Sequence, residues 1–297
     1  MSALTHRHVA PSGTPHPRSE PFTLMGVVNV TPDSFSDGGR YLDGQTAIVH
    51  GLELEAQGAA ILDIGGESTR PGAAPVSVQE ELRRIVPVIE GLRARGSAAE
   101  LSVDTSKAEV ARAAVAAGAV IVNDVTALQG DAAMAGVVAD LGVECCLMHM
   151  QGTPRTMQAH PHYDDVVSDV KAFLEERVAN AVAAGIAEER IVLDPGIGFG
   201  KTVEHNLELL RRLDELLALG RPVLVGTSRK SFLGTLTGRD VDARVPATIA
   251  SNVLAFARGA TLFRVHDVGP VRDALLVAAA TVTAPWTTTT PQTSSTT

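Results

Sequence analysis

Short apolar runs and longer amphipathic stretches alternate along most of the chain. Eight runs, at 24–30, 60–66, 100–105, 120–125, 144–150, 191–196, 222–228 and 261–267, are rich in Val, Ile and Leu. Continuous apolar runs of this length suit strands covered on both faces, as in a parallel sheet. Between them the apolar residues recur every three or four positions. In segment 78–95, Leu82, Ile85, Val86, Ile89 and Leu92 share one stripe of a helix. Most of these segments stop at a glycine before the next run: Gly58, Gly96, Gly118, Gly142, Gly185, Gly220 and Gly259. Glycine takes the left-handed cap conformation without strain, so each marks a helix end. Eight strand–helix units without a linker predict an α/β chain folded as a single (β/α)8 TIM barrel over residues 22–282. The open doubly wound sheet is the alternative.

A strand buried on both faces should stay apolar to its end. These strands finish instead in Asn29, Asp63, Asp104, Asn123, Asp124, His149, Asp194, Ser228, Arg264 and His266. The C-terminal strand ends of such a barrel form its active-site face, so this polar set is expected to converge on one mouth. Arg264 and His266 are two apart and share a strand face. Two cationic or potentially cationic groups there need an anion to offset several kcal/mol of desolvation, and a bound phosphate would serve. Local readings compete at single positions. Ser106–Glu109 reads as a capping box after Asp104, Asp194-Pro195 as a turn, His149 as packed core and His162 as surface. GIGFGKT ends like a phosphate-binding P-loop, but Pro195 stands where that pattern requires its first glycine, so a nucleoside-triphosphate site is not expected.

Composition narrows the function further. The 297 residues are 45% hydrophobic and only 3% aromatic, so a sizeable core must be aliphatic. Lys+Arg 25 against Asp+Glu 34 leaves −9, which argues against a nucleic-acid or membrane-surface binder while allowing a locally basic pocket. Cys145 and Cys146 are adjacent and would point to opposite strand faces, so they form neither a disulfide nor a metal clip. That usage reads as cytoplasmic and reduced. Residues 1–21 are polar and carry no apolar signal core, and no apolar run is long enough to span a membrane. Residues 283–297 are Thr-rich and low in complexity, and both ends are expected to be disordered tails.

In order along the chain, MGVVNVTPDSFSDGG, GGESTRPGA, SVDT, VNDV, MHMQGTP, LDPGIGFGKT, GTSRKSFLG and FRVHDV closely resemble the dihydropteroate synthase family. The resemblance covers about residues 22–282. It implies a homodimeric (β/α)8 barrel that joins (7,8-dihydropterin-6-yl)methyl diphosphate to 4-aminobenzoate. The products are 7,8-dihydropteroate and pyrophosphate, in folate biosynthesis, with Mg²⁺ as cofactor and sulfonamides as competitors for the aminobenzoate slot. Carried onto matching positions, it implies Asn29 as the Mg²⁺ ligand and Asp104, Asn123, Asp194 and Lys230 as the set that holds the pterin. Arg264 and His266 would grip the diphosphate, and Val265 between them is a further substrate-binding candidate. Loops Thr31–Gly39 and Ser68–Gly72 resemble the family's two mobile loops: Thr69 and Arg70 would meet the substrates, and Phe35 and Pro71 would cover the aminobenzoate ring. Phe199 would line the same slot, and Ser231 would open a helix whose amides suit a carboxylate.

By the same resemblance Asp104, Lys230, Arg264 and His266 are the catalytic candidates, acting on charge as the diphosphate leaves and a cationic methylene forms. Two rivals make different demands. A methyltetrahydrofolate–corrinoid methyltransferase shares pterin recognition but needs neither diphosphate clamp nor arylamine slot, so TRPG, SRKS and RVHD disfavour it. A non-catalytic pterin-binding paralogue would be expected to lose loop or clamp residues, which are intact here.

Overall fold

The computed structural model describes residues 20–30, 40–68, 74–154 and 156–282. Each apolar run contains a strand: β1 Thr23–Asn29, β2 Ile61–Gly65, β3 Glu100–Asp104, β4 Ile121–Asp124, β5 Glu144–Met148, β6 Ile191–Asp194, β7 Leu224–Val225 and β8 Leu262–Val265. All pair in parallel in the order β6-β5-β4-β3-β2-β1-β8-β7. A bridge between Leu193 and Val223, with the Leu193 N–H donating to the Pro222 carbonyl at 2.9 Å, brings β6 to β7. The result is a nearly closed (β/α)8 barrel.

The helices between strands are α1 Arg40–Ala56, α2 Val78–Ala94, α3 Ala108–Ala117, α4 Met134–Leu141 and α5 Val166–Ala183. Then come α6 Val203–Arg211 with α7 Leu213–Leu217, α8 Ser231–Thr237 with α9 Val245–Ala257, and finally α10 Val268–Val282. The seven expected cap glycines all take positive φ, from 61° at Gly142 to 122° at Gly118. Among the described residues no helix is long and apolar enough to cross a membrane. The barrel includes Glu20, whose carboxylate pairs with Arg272 of α10.

Strand periodicity divides the core into two layers. Outward residues such as Leu62, Val122, Cys145, Leu193 and Val265 pack under the helices. Met25, Ile61, Ile121, Cys146, Val192, Leu224 and Leu262 fill the barrel itself. The two cysteines therefore do face opposite ways, and burial pushes the Cys145 thiol up to about 12 and that of Cys146 well above its ordinary value. Each large apolar side chain in this plug contributes about 1.5–3 kcal/mol by leaving water. Two residues further along the same strands the inward positions are Val27, Asp63, Asn123, Met148, Asp194, Gly226 and Arg264, most of them polar. The barrel thus changes from an apolar floor to a polar mouth within one step of the strand repeat.

Three expectations are corrected by this frame. Val265 is fully buried in the outer layer, so its side chain cannot reach a ligand in the mouth. Asp124 is also turned away: its carboxylate accepts the N–H groups of Thr126 at 2.8 Å and Leu128 at 3.0 Å, so it builds the turn after β4. The capping box at Ser106 does not form. Helix α3 starts after Lys107 without a side-chain cap, and the Asp131 carboxylate accepts the Ala108 N–H at 3.0 Å instead.

Candidate active site

The polar mouth is organised around Asp63, which is fully buried. Its Oδ1 accepts from the Ser102 hydroxyl at 2.6 Å, and its Oδ2 accepts from Asn123 Nδ2 at 3.0 Å and Arg264 Nε at 2.7 Å. Arg264 Nη2 donates to Asp104 Oδ2 at 2.8 Å. Alternate residues on β2, β3, β4 and β8 thereby form one chain of hydrogen bonds inside the barrel. The expected anion beside Arg264 is thus supplied by two carboxylates of the protein. Burial opposes the guanidinium's charge, but Asp63 and Asp104 outweigh it and hold its pKa well above the ordinary value.

Above this chain lies an open cleft lined by Asp104, Asn123, Asp194, Phe199, Lys230, Arg264 and His266, with Met148 and Ser228. Sequence reasoning had placed seven of these in the site. It passed over Met148 and left Asp63 and Ser228 as polar strand ends without a role. Their signal was their phase: Asp63, two after Ile61, and Met148, two after Cys146, must face the interior if the apolar plug does. Arg229 was also missed. It forks onto Asp267 at 2.9 and 2.6 Å and so clips the Lys230 loop to the strand end bearing His266.

Burial sets the ionisation of the cleft. It raises Asp104 to about 7, with Arg264 pulling down and Asp63 pushing up. It also raises Asp194, whose Oδ1 accepts the Gly196 N–H at 2.7 Å, so turn chemistry and site role coexist there. Lys230 is lowered to about 8 by burial and then by Arg264, against the attraction of Asp194 and Asp104. His266 is lowered to about 3, first by burial and then by Arg264 and Arg229, so of the two groups expected to be cationic or potentially cationic, Arg264 carries the charge and His266 is a neutral imidazole in the free protein. Its Nδ1 lies 3.0 Å from the Ser228 hydroxyl, which leaves Nε2 for a ligand.

The loop after β6 forms one wall of the cleft. A Cβ on Gly196 would sit 1.8 Å from the His149 carbonyl oxygen, and φ there is 64°, so only glycine fits. The lysine of the P-loop-like segment is 3% exposed and turned inward, away from any phosphate. His149 packs edge-on against Phe173, with ring centroids 4.9 Å apart, and His162 is exposed.

Other expected residues stand apart from this cleft. Asn29 ends β1 at a half-buried position, and Ser231 is exposed at the start of α8. Thr69, Arg70, Pro71 and Phe35 lie outside the described residues, as do most of the two loops that carry them and the stretches 1–19 and 283–297. Among the described residues the Asn29 amide has no hydrogen-bond partner. Its amide oxygen is a hard donor at the C-terminal end of β1, which fits Mg²⁺, an ion that often takes one or two protein ligands and completes its shell with phosphate and water.

Comparison with known proteins agrees with this geometry. The family described as pterin binding enzyme matches residues 25–266. The dihydropteroate synthase of Haemophilus influenzae is 47% identical over 261 residues, covering 88% of this chain and 94% of that one. A Xanthomonas albilineans dihydropteroate synthase solved with 4-aminobenzoic acid superposes with a TM-score of 0.84 at 53% identity, covering 89% of this chain and 94% of that one. The same bacterium's enzyme in complex with 7,8-dihydropteroate gives 0.81 at 51%, over the same shares of the two chains. With the family matched from β1 to the end of β8 and relatives near half identity over almost their whole length, the chain belongs to the pterin-binding enzymes, among the dihydropteroate synthases.

Proposed function

We propose that this cleft condenses (7,8-dihydropterin-6-yl)methyl diphosphate with 4-aminobenzoate to give 7,8-dihydropteroate and pyrophosphate. The observation that carries the reading is the convergence of Asp104, Asn123, Asp194 and Lys230 on one pocket. A pterin presents a 2-amino group and ring N–H donors along one edge. Carboxylates of Asp104 and Asp194, and the Asn123 oxygen left free when its Nδ2 donates to Asp63, match those donors. The Lys230 ammonium matches the ring acceptors, and Phe199 supplies an apolar wall.

The diphosphate falls to Arg264 and His266. Arg264 keeps Nη1 after its other nitrogens engage Asp63 and Asp104, and His266 keeps Nε2. Asn29 would hold Mg²⁺, which when bound neutralises charge on the departing diphosphate. Departure leaves a positive methylene conjugated with the electron-rich pterin. Asp104 is ionised for part of the population near neutral pH and stabilises that cation. The arylamine then attacks, and no side-chain nucleophile is required. Both thiols are buried and protonated. The loops that carry Phe35 and Thr69, Arg70 and Pro71 follow β1 and β2 directly in the sequence, and on this reading Thr69 and Arg70 meet the substrates while Phe35 and Pro71 cover the aminobenzoate ring.

The same reading places the protein in the cytoplasm as a homodimer. Two free, buried cysteines suit a reducing compartment. Leu254 and Val277, 55% and 66% exposed on the adjoining helices α9 and α10, offer an apolar face for a second copy. Light scattering at micromolar protein tests the dimer.

The decisive assay mixes purified protein with both substrates and Mg²⁺ and follows pyrophosphate. Release that depends on aminobenzoate supports the synthase. Pterin binding without release would identify a binding paralogue, and methyl transfer to a corrinoid would identify the methyltransferase.

A further inference from the structure

The wall of the cleft formed by residues 195–202 belongs to neither sheet nor helix, and side chains hold most of its backbone polar groups. The Gly198 N–H donates to Asn206 Oδ1 at 2.7 Å, Gln158 Nε2 donates to the Gly198 carbonyl at 2.8 Å, and the Tyr163 hydroxyl donates to the Gly200 carbonyl at 2.7 Å. At the centre of the loop is Lys201, which folds back into the turn it ends. Its Nζ lies 3.0 Å from the Gly196 carbonyl oxygen, 3.0 Å from the Phe199 carbonyl oxygen and 2.9 Å from His149 Nδ1.

An ammonium has three N–H donors, and here its three nearest acceptors lie within 3.0 Å, with the His149 carbonyl oxygen farther off at 3.5 Å. For Nδ1 to accept, His149 must be neutral with its proton on Nε2. Burial, then Lys201 itself, keeps that ring neutral by lowering it to about 3. The Tyr163 ring lies 5.9 Å from Nζ, and Asp194 and Lys230 face it from the neighbouring strand ends. Burial brings Lys201 down to about 7, so at neutral pH the ammonium is retained in a substantial share of molecules.

What the loop presents to the cleft is Gly196, Ile197 and Phe199, with Gly198 packed against Lys230. Lys230 Nζ sits 4.0 Å from the centroid of the Phe199 ring, and a Cβ on Gly198 would lie 2.9 Å from the Lys230 Cδ. Lys230 therefore lies along this wall, and the wall's shape is set from behind by Lys201. We infer that Lys201 is a positioning residue for pterin binding: its buried ammonium ties the Gly196 and Phe199 carbonyls to His149, and so holds the surface that directs Lys230 at the ligand. The inference rests on the functional reading above and adds a residue that itself never touches substrate.

The test uses the full chain and equilibrium binding by calorimetry, with 6-hydroxymethyl-7,8-dihydropterin as the pterin probe and pyrophosphate with Mg²⁺ as the probe for the other half of the site. Lys201→Met keeps most of the stem's bulk and removes all three donors. It should weaken the pterin probe tenfold or more and leave pyrophosphate within twofold. In a Phe199→Leu background the same substitution should cost less than threefold, because the surface it supports is already altered. Unchanged pterin affinity, a parallel fall in pyrophosphate affinity, or a full tenfold effect in the Phe199→Leu background would each overturn the inference. If Lys201→Met does not fold, His149→Phe keeps a ring against Phe173 while removing one of the three acceptors. It should weaken the pterin probe several-fold, and unchanged affinity there would be equally fatal. A wild-type protein that does not bind the pterin probe would bring down the functional reading, whereas wild-type binding with unaltered variants would bring down only the role of Lys201.

Discussion

Replacing Asp63 by Asn changes one charge inside the barrel and almost no shape. The amide can still accept from Asn123 and Arg264 through its oxygen and can donate to the Ser102 hydroxyl through its nitrogen. The substitution therefore turns a charge-assisted bond to Arg264 into a neutral one, and it takes from the buried Ser102 hydroxyl the acceptor of its proton. Charge-assisted bonds contribute about 1.5–3 kcal/mol, neutral ones about 1, and an orphaned buried donor costs about 1–3, so Asp63→Asn should cost roughly 2–4 kcal/mol in urea unfolding. Asp63→Ala strands Ser102, Asn123 Nδ2 and Arg264 Nε together, and should cost about 3–5 kcal/mol.

The pH dependence is more telling. Burial raises Asp104 to about 7, and the charge of Asp63 pushes it further up. Without that charge the repulsion is gone and Arg264 acts on Asp104 with less competition, so both changes favour the carboxylate. If ionised Asp104 stabilises the cationic methylene, the acid limb of kcat/KM should lie near pH 7 in the wild type and at lower pH in Asp63→Asn. Steady-state rates between pH 5 and 9 in a constant-ionic-strength buffer series measure it. A limb that stays in place or moves upward, in a variant that folds, would refute the coupling between Asp63, Arg264 and Asp104.

Lys230→Ala should cost roughly 1.5–3 kcal/mol in transition-state binding, about ten- to over a hundredfold in kcat/KM, with no loss in melting temperature because burial already disfavours that ammonium. His266, neutral in the free protein with its pKa at about 3, should titrate at higher pH once pyrophosphate is bound, as read from its imidazole proton shifts. Gly196→Ala should destabilise by at least about 2 kcal/mol in denaturant, from its φ of 64° and the clash with the His149 carbonyl. Val265→Ala should lose about 2 kcal/mol of stability and leave both KM values unchanged, since its side chain packs under the helices.

What the sequence alone determined was everything carried by local periodicity. Eight apolar runs and seven cap glycines were enough for the barrel, because strand and helix repeats and left-handed caps are properties of a few consecutive residues. Cys145 and Cys146 had to part to opposite layers for the same reason, and Arg264 and His266 had to share a face. Motif order supplied the pterin set, and Asp104, Asn123, Asp194, Lys230 and Phe199 all reach the cleft.

Only the tertiary structure decided the phase and the partners. Of the neighbours Asn123 and Asp124, the first faces the mouth and the second builds a turn, and that choice follows from the register of β4 against β3 and β5. Arg264 pairs with Asp63, 201 residues away, and with Asp104, which leaves Nη1 as its free edge. Lys201 turns back to His149, 52 residues away. The ionisation states of Asp104, Lys230 and His266 likewise follow from burial and from charges on other strands. These are pairings across the closed barrel, and their energies depend on distances that exist only once every strand is in place.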